Sequence, residues 1–217
     1  MVNILFDCPN LNDFKGELAR YFSDNSRVTV VALSFYDDFV YDAESFARVY
    51  TYGEGYHEVV DVLGEFGVKP ENIRYINYFL DSTEDAIKKV KWADVLYFTG
   101  GLPDRMMERI EEMGIADAIK RHRGVAVGYS AGAVIQLSEY HLSPDSDYSE
   151  FGYYPGIGYL NGFYLEVHYE GRKTQDEAIE RVLRERGCPV YVSHTRRGGI
   201  VVDNGKVKLL GTVDTHP

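Results

Sequence analysis

Short, nearly continuous apolar runs recur along this chain at Val2–Phe6, Val28–Leu33, Ile73–Tyr78, Val95–Phe98 and Val125–Val127. Runs of this length without polar alternation are the pattern of strands covered on both faces. Between them the apolar positions change to helical spacing. Leu11–Phe22 is amphipathic, and His57–Phe66 is stopped by Gly67 with Pro70 close behind. Ser82-x-x-Asp85 resembles a capping box, and Lys88, Lys89 and Lys91 close the helix it opens, complementing the helix dipole. Strand and helix in alternation, joined by short connections, predict right-handed crossovers. The expected architecture is a three-layer α/β fold around a mostly parallel, doubly wound sheet.

After Gln136 the pattern loosens into a Tyr/Gly/Asp-rich segment, Ser143–Gly162. A strand near Phe163–His168, a helix from about Thr174 to Arg186, and strands at Val190–Ser193, Ile200–Val202 and Val207–Leu210 are expected beyond it. Asp203-Asn-Gly-Lys206 is a hairpin turn signal, so the last two strands should form a C-terminal antiparallel hairpin. No repeat, low-complexity linker or composition shift divides the chain, and residues 1–217 are read as a single α/β domain.

Composition narrows the function classes. With 45% hydrophobic and 26% charged residues over 217 positions, the chain is an ordinary globular protein. The N-terminal residues read as a first strand rather than a signal peptide, and no apolar run is long enough to span a membrane. A cytoplasmic protein is expected. The net charge of −11 repels nucleic-acid backbones and anionic membranes, so neither is an expected partner. The expected partners are a small-molecule or short-peptide substrate and, at most, a second copy of the chain in a homodimer. Cys8 and Cys188 have no metal or redox spacing, and no metal or cofactor is expected. The eighteen tyrosines concentrate in Tyr36–Tyr56 and Tyr148–Tyr169, where half-buried packing competes with a binding surface.

The candidate chemistry lies in Gly124-Val-Ala-Val-Gly-Tyr-Ser-Ala-Gly-Ala-Val-Ile-Gln136. Gly128-Tyr129-Ser130-Ala131-Gly132 fits G-x-S-x-G, the nucleophile elbow, in which a strained strand-to-helix turn exposes a serine. A buried strand before it and a small-residue helix after it are the context that geometry requires. A serine nucleophile also needs oxyanion donors, a base and a partner that orients the base. Phe98-Thr-Gly-Gly-Leu-Pro103 closes the preceding parallel strand with two glycines, so an N–H of Gly100 or Gly101 can join that of Ala131 in an oxyanion hole.

These segments together resemble the peptidase E (aspartyl dipeptidase) and cyanophycinase family of serine peptidases. That family is built on the class I glutamine amidotransferase fold. The resemblance rests on Phe35-Tyr-Asp-Asp-Phe39, Ala93–Gly101, Gly128–Ala133 and Gly156-Ile-Gly-Tyr-Leu160 followed by His168. It implies Ser130 as nucleophile, His168 as general base and a short peptide or related amide as substrate. Among six histidines, His168 is the one that ends a predicted strand downstream of the elbow. His194 also ends a strand and is the competitor. His57, His122, His141 and His216 read as surface residues.

The chain departs from the family in three places. The loop that carries the family's triad glutamate reads Ser193-His-Thr-Arg-Arg-Gly-Gly199, without an acid. His168-Tyr169-Glu170 has the His-x-Glu spacing of the glutamine amidotransferase triad. Residues two apart on a strand share a face, which makes Glu170 the candidate to orient His168. The arginine that binds an aspartyl substrate is replaced near Thr174–Asp176 by uncharged or acidic residues, with Arg172 and Lys173 out of register. The family's Gly-Gly-Asn turn is Gly-Gly-Leu-Pro. Strict aspartyl specificity is therefore not expected, and Tyr153, Tyr154 and Tyr159 are candidates to line a pocket for a neutral or aromatic residue. Two other readings stand beside the peptidase: an α/β-hydrolase-type esterase with the same elbow, and a non-catalytic relative that binds a small ligand.

Overall fold

The computed structural model describes all 217 residues. The five N-terminal apolar runs become parallel strands: β1 (Val2–Phe6), β2 (Val28–Val31), β3 (Ile73–Tyr75), β4 (Val95–Phe98) and β5 (Val125–Tyr129). They lie in the order β3-β2-β4-β5-β1. A small antiparallel pair, β6 (Glu139–Leu142) and β7 (Gly152–Pro155), stands apart from the sheet. Three C-terminal strands complete the architecture: β8 (Tyr164–Tyr169), β9 (Val190–Asp203) and β10 (Lys206–His216). β9 runs antiparallel to β1 and β10 but parallel to β8. The mostly parallel α/β sheet and the C-terminal antiparallel hairpin are thus both present. Asn204 and Gly205 make the hairpin turn with φ of 48° and 79°, the paired positive values of a type I′ turn.

The sheet separates two apolar layers because strand side chains alternate. Leu5, Leu96, Phe98 and Ala126 face one side, with helices α4 (Thr83–Trp92), α5 (Pro103–Glu112), α6 (Ala116–Lys120) and α7 (Ala131–Val134). Ile4, Phe6, Tyr97 and Val127 face the other, with α1 (Lys15–Leu18), α2 (Ala43–Tyr50) and α3 (Glu54–Gly64). The last helix, α8 (Lys173–Arg186), packs with β8 and β9 around Ile179 and Val182. No helix is long and apolar enough to cross a membrane.

Several elements differ from the sequence pattern. The continuous helix expected over Leu11–Phe22 is one α-turn, α1, between two 3-10 turns, with low-propensity Gly16 inside it. α2 was not anticipated, although Asp42 caps it by accepting the Ser45 N–H at 2.7 Å. Pro103, read as part of a turn, occupies the first position of α5, where its missing N–H costs nothing. The two strands expected at Val190–Ser193 and Ile200–Val202 are one, β9, continuing through Gly198-Gly199. Those glycines mark a close approach rather than a loop: a Cβ on Gly199 would lie 2.5 Å from the Phe6 ring.

Candidate active site

Ser130 stands at the carboxyl end of β5, between strand and α7, with φ of 51° and ψ of −117°. A non-glycine residue at positive φ stores about 1–3 kcal/mol of strain and persists only where its surroundings fix it. Here they do. The Ser130 N–H donates to Phe6 O at 2.9 Å, and the Ala133 N–H donates to Ser130 O at 3.0 Å. Strand and helix backbones meet so closely that a Cβ on Gly128 would lie 2.0 Å from Gly132 O, and one on Gly132 would lie 2.2 Å from Phe98 O. Both glycines of the motif are therefore demanded by packing.

Ser130 Oγ lies within hydrogen-bond distance of His168 Nε2, at 2.8 Å. His168 reaches it through an irregularity in β8. The pairing of β8 with β9 shifts register between Glu166 and Tyr169, and His168 has φ of 54°. Bulges of this kind re-aim a side chain out of the ladder. The turn is held from beneath by Gln175, which is buried. Its amide donates to His168 O at 3.0 Å and to Glu166 Oε1 at 3.1 Å, and its carbonyl accepts the Glu170 N–H at 3.0 Å. Burial pulls the His168 pKa below the ordinary histidine value, while carboxylates led by Asp7 oppose that fall. The ring is accordingly neutral and able to accept a proton near neutral pH.

The same bulge corrects the expectation for Glu170. Alternation fails where a register shift and a positive φ intervene, so residues two apart do not share a face here. Glu170 lies beyond the end of β8, and its exposed carboxylate is 3.7 Å from Arg172 Nε rather than on the imidazole. The carboxylate that does lie behind the ring is Asp7, which the sequence reading passed over. Its Oδ2 is 4.0 Å from His168 Nδ1, and it is fully buried. The signal available was an acid directly following an apolar strand, at the sheet edge where the elbow also opens.

A cavity of about 230 Å³ opens over Ser130. That is smaller than the roughly 300–1,000 Å³ of drug-sized sites and suits a short substrate. Gly101 and Ala131 line it beside Ser130. Ala131 begins α7, so its N–H has no carbonyl four residues behind it in the helix. Gly101, at φ of 131°, lies against Ser34, where a Cβ would come within 2.2 Å of the carbonyl oxygen. Gly100 does not line the cavity and packs against the Tyr129 ring instead. The buried Arg109 braces the preceding loop, donating to Leu33 O, Phe35 O and Asp37 Oδ1, and so sets Tyr36 at the rim.

Other expectations change. His141 is not a surface residue; it is buried in the cavity wall and pairs with Glu166 at 2.8 Å. His122 is buried as well, against Val125 O. His194 stands away from Ser130, paired with Asp214 at 2.7 Å. Tyr153, Tyr154 and Tyr159 do not line the cavity, whereas Tyr36 and Tyr148 do. Tyr154 stacks on Tyr140, and the Tyr159 hydroxyl donates to Ile119 O. Gln175 lies in the segment where an aspartyl-binding arginine was missed, and Arg172 also reaches the cavity wall; Lys173 points to solvent and pairs with Glu177 at 3.1 Å.

Asp7, Cys8 and His168 form the one group whose ligand atoms lie near enough to hold a metal, within 4.8 Å of one another. Burial and Asp7 push the Cys8 thiol up to about 11, which opposes the thiolate a metal would require.

Two solved structures share this fold. One is a candidate peptidase E from Listeria monocytogenes EGD-e, with a TM-score of 0.68 and 15% identity over 97% of this chain and 98% of that one. The other is a peptidase from an acI-B1 Actinobacterium, with a TM-score of 0.64 and 15% identity over 99% of this chain and 89% of that one. No curated protein matches the sequence. The model of peptidase family S51 matches residues 43–210, from the start of α2 to within β10 and across both the elbow and His168. By that match, this chain belongs to peptidase family S51.

Proposed function

We propose that the chain is a serine hydrolase of short peptides or related amides, with Ser130 as nucleophile and His168 as base. The observation that carries this reading is the 2.8 Å contact between a serine in a strained elbow and a half-buried imidazole whose pKa is lowered. Ser130 Oγ attacks the scissile carbonyl carbon as its proton passes to His168 Nε2. The negative charge on the carbonyl oxygen is met by the N–H groups of Ala131 and Gly101. His168 then returns the proton to the leaving amine, and the acyl-serine is hydrolysed by a water activated in the same way.

The cavity wall disfavours an acidic side chain next to the scissile bond. Glu166, Asp145 and Asp147 line it, and its permanent cation, Arg172, already lies 3.7 Å from Glu170. A buried substrate carboxylate needs a well-paired cation, because desolvating it unpaired costs several kcal/mol. The reading is tested by fluorophosphonate labelling of wild type and Ser130→Ala, followed by kinetics on Asp-X, Asn-X, Leu-X and Tyr-X dipeptides. Labelling of wild type alone is expected, with amide turnover that does not favour Asp-X. Equal labelling of the two proteins would overturn the nucleophile. A kcat/KM for Asp-X about a hundredfold above the rest, roughly 2.7 kcal/mol of discrimination, would overturn the specificity.

A further inference from the structure

Behind the imidazole, on the side away from Ser130, lies a carboxylate buried just past the end of β1. Asp7 directly follows β1, whose last residue, Phe6, pairs in register with Tyr129. That register brings Asp7 level with Ser130. Asp7 is fully buried, its Oδ2 accepts the Arg196 N–H at 2.6 Å, and its Oδ1 has no partner. A buried carboxylate with an idle oxygen is strongly unfavourable unless a positive charge or a further donor comes to it.

The imidazole is the ring that faces this carboxylate, on its other oxygen, Oδ2. If Nε2 takes the proton of Ser130, as the proposed function requires, the neutral ring carries its own proton on Nδ1. Nδ1 faces Asp7 Oδ2 and Cys8 Sγ, each at 4.0 Å. We propose that Asp7 is the positioning acid of the site, holding His168 in the Nδ1–H tautomer and offsetting the imidazolium that forms when Ser130 gives up its proton. The proposal rests on the reading of Ser130 and His168 above. The 4.0 Å gap is longer than a hydrogen bond, and such contacts shorten when charge develops or substrate closes the site. Cys8, held as a neutral thiol, has its Sγ beside the same nitrogen.

The groups facing His168 are Asp7 and Cys8 after β1, Glu166 and Glu170 along its own segment, Asp145 beyond β6, and Arg172 at the start of α8. Of the carboxylates, Glu166 is occupied by His141, Ser143 and Gln175, and Glu170 and Asp145 are exposed. Asp7 alone is both buried and incompletely partnered. A purely structural role, fixing Arg196 at φ of 59°, is the competing account. Asparagine in place of Asp7 keeps an acceptor for the Arg196 N–H while removing the charge.

The experiment measures fluorophosphonate labelling against pH in wild type, Ser130→Ala, Asp7→Asn and Glu170→Gln, with imidazole nitrogen NMR of the first, third and fourth. Asp7→Asn is expected to label about a hundredfold or more slowly. Its acid limb should move to lower pH, because the leading carboxylate that holds the His168 pKa up is gone. Glu170→Gln should stay within about twofold of wild type. Labelling of Asp7→Asn at the wild-type rate, or a large loss in Glu170→Gln alone, overturns the proposal. Failure of wild type to label strikes Ser130 rather than Asp7, and NMR then decides. A neutral His168 protonated on Nδ1, in wild type and in Glu170→Gln, supports Asp7 even where Asp7→Asn does not fold. A wild-type ring protonated on Nε2 refutes it.

Discussion

The elbow at Ser130 and the turn at His168 solve one problem by different means. Each holds a non-glycine residue at positive φ, 51° and 54°, and each aims one polar atom into the same cavity. The elbow is held by main chain: Phe6 O accepts the Ser130 N–H, and Phe98 O and Gly132 O approach so closely that only glycine fits at two flanking positions. The His168 turn is held by a side chain, Gln175, which spans it with three hydrogen bonds. Backbone-held geometry leaves a mark in the sequence because it forbids Cβ atoms. Geometry held by a side chain leaves none, since any polar group of suitable reach could serve.

The sharpest way to probe the difference is at the reacting atom. Ser130→Ala should lower kcat by about four to six orders of magnitude with Tm nearly unchanged, since one hydroxyl leaves a turn that main chain maintains. A Tm shift comparable to that of a core variant would show that the hydroxyl, not the backbone, holds the elbow.

Gly132→Ala strikes the elbow's frame instead. A Cβ 2.2 Å from Phe98 O forces α7 away from β4, and the expected loss is roughly 3 kcal/mol. In a chain of this size that lowers Tm by roughly 6–12 °C. Calorimetry of the variant checks it, and an unchanged Tm would mean the layers are looser than described.

Gln175→Leu should act on the other turn. It leaves the His168 carbonyl and the Glu170 N–H without their partner, at about 1–3 kcal/mol, and lets the imidazole wander from Ser130. A kcat loss of about tenfold or more with little change in KM is expected, because orientation rather than binding is damaged. Loss in KM alone would make Gln175 a substrate contact.

Titration sharpens the same point more gently. Burial lowers the His168 pKa, and a base at this position must be neutral, so activity is expected to fall only as pH drops below the ordinary histidine value. An acid limb above that value would mean that the carboxylates, not burial, prevail. His194→Ala should change kcat/KM by less than about twofold, since its partner is Asp214 on the surface.

The legibility of the sequence follows the same division. Strands buried on both faces, the type I′ turn and the elbow are written in β-branched runs and in glycines that sterics require, and they appear where the pattern puts them. β9 was split in two because glycines in a strand look like a loop until Phe6 is seen against Gly199. The His-x-Glu spacing at Glu170 misled because alternation holds only while the ladder stays in register, and β8 slips at His168. Asp7 and His141 were missed since burial of a lone acid or imidazole depends on what distant strands bring alongside. Ser130 needed only its neighbours in sequence; its partners needed the whole sheet.

The central place of β1 has a consequence for how the chain comes off the ribosome. Among its two neighbours, β5 is made more than halfway along the chain and β9 near its end, with Val2 paired to Val125 on one side and Asp203 on the other. One edge of β1 therefore stays open until β5 is made, and the other until β9 follows much later. Contacts this distant in sequence form slowly and leave apolar edges open to misassembly. A chain that stops before β9 carries Ser130 and His168, yet β1 and β8 then have no strand between them. Such a fragment also lacks the Arg196 N–H that Asp7 accepts, so that side of His168 is finished only when β9 is in place.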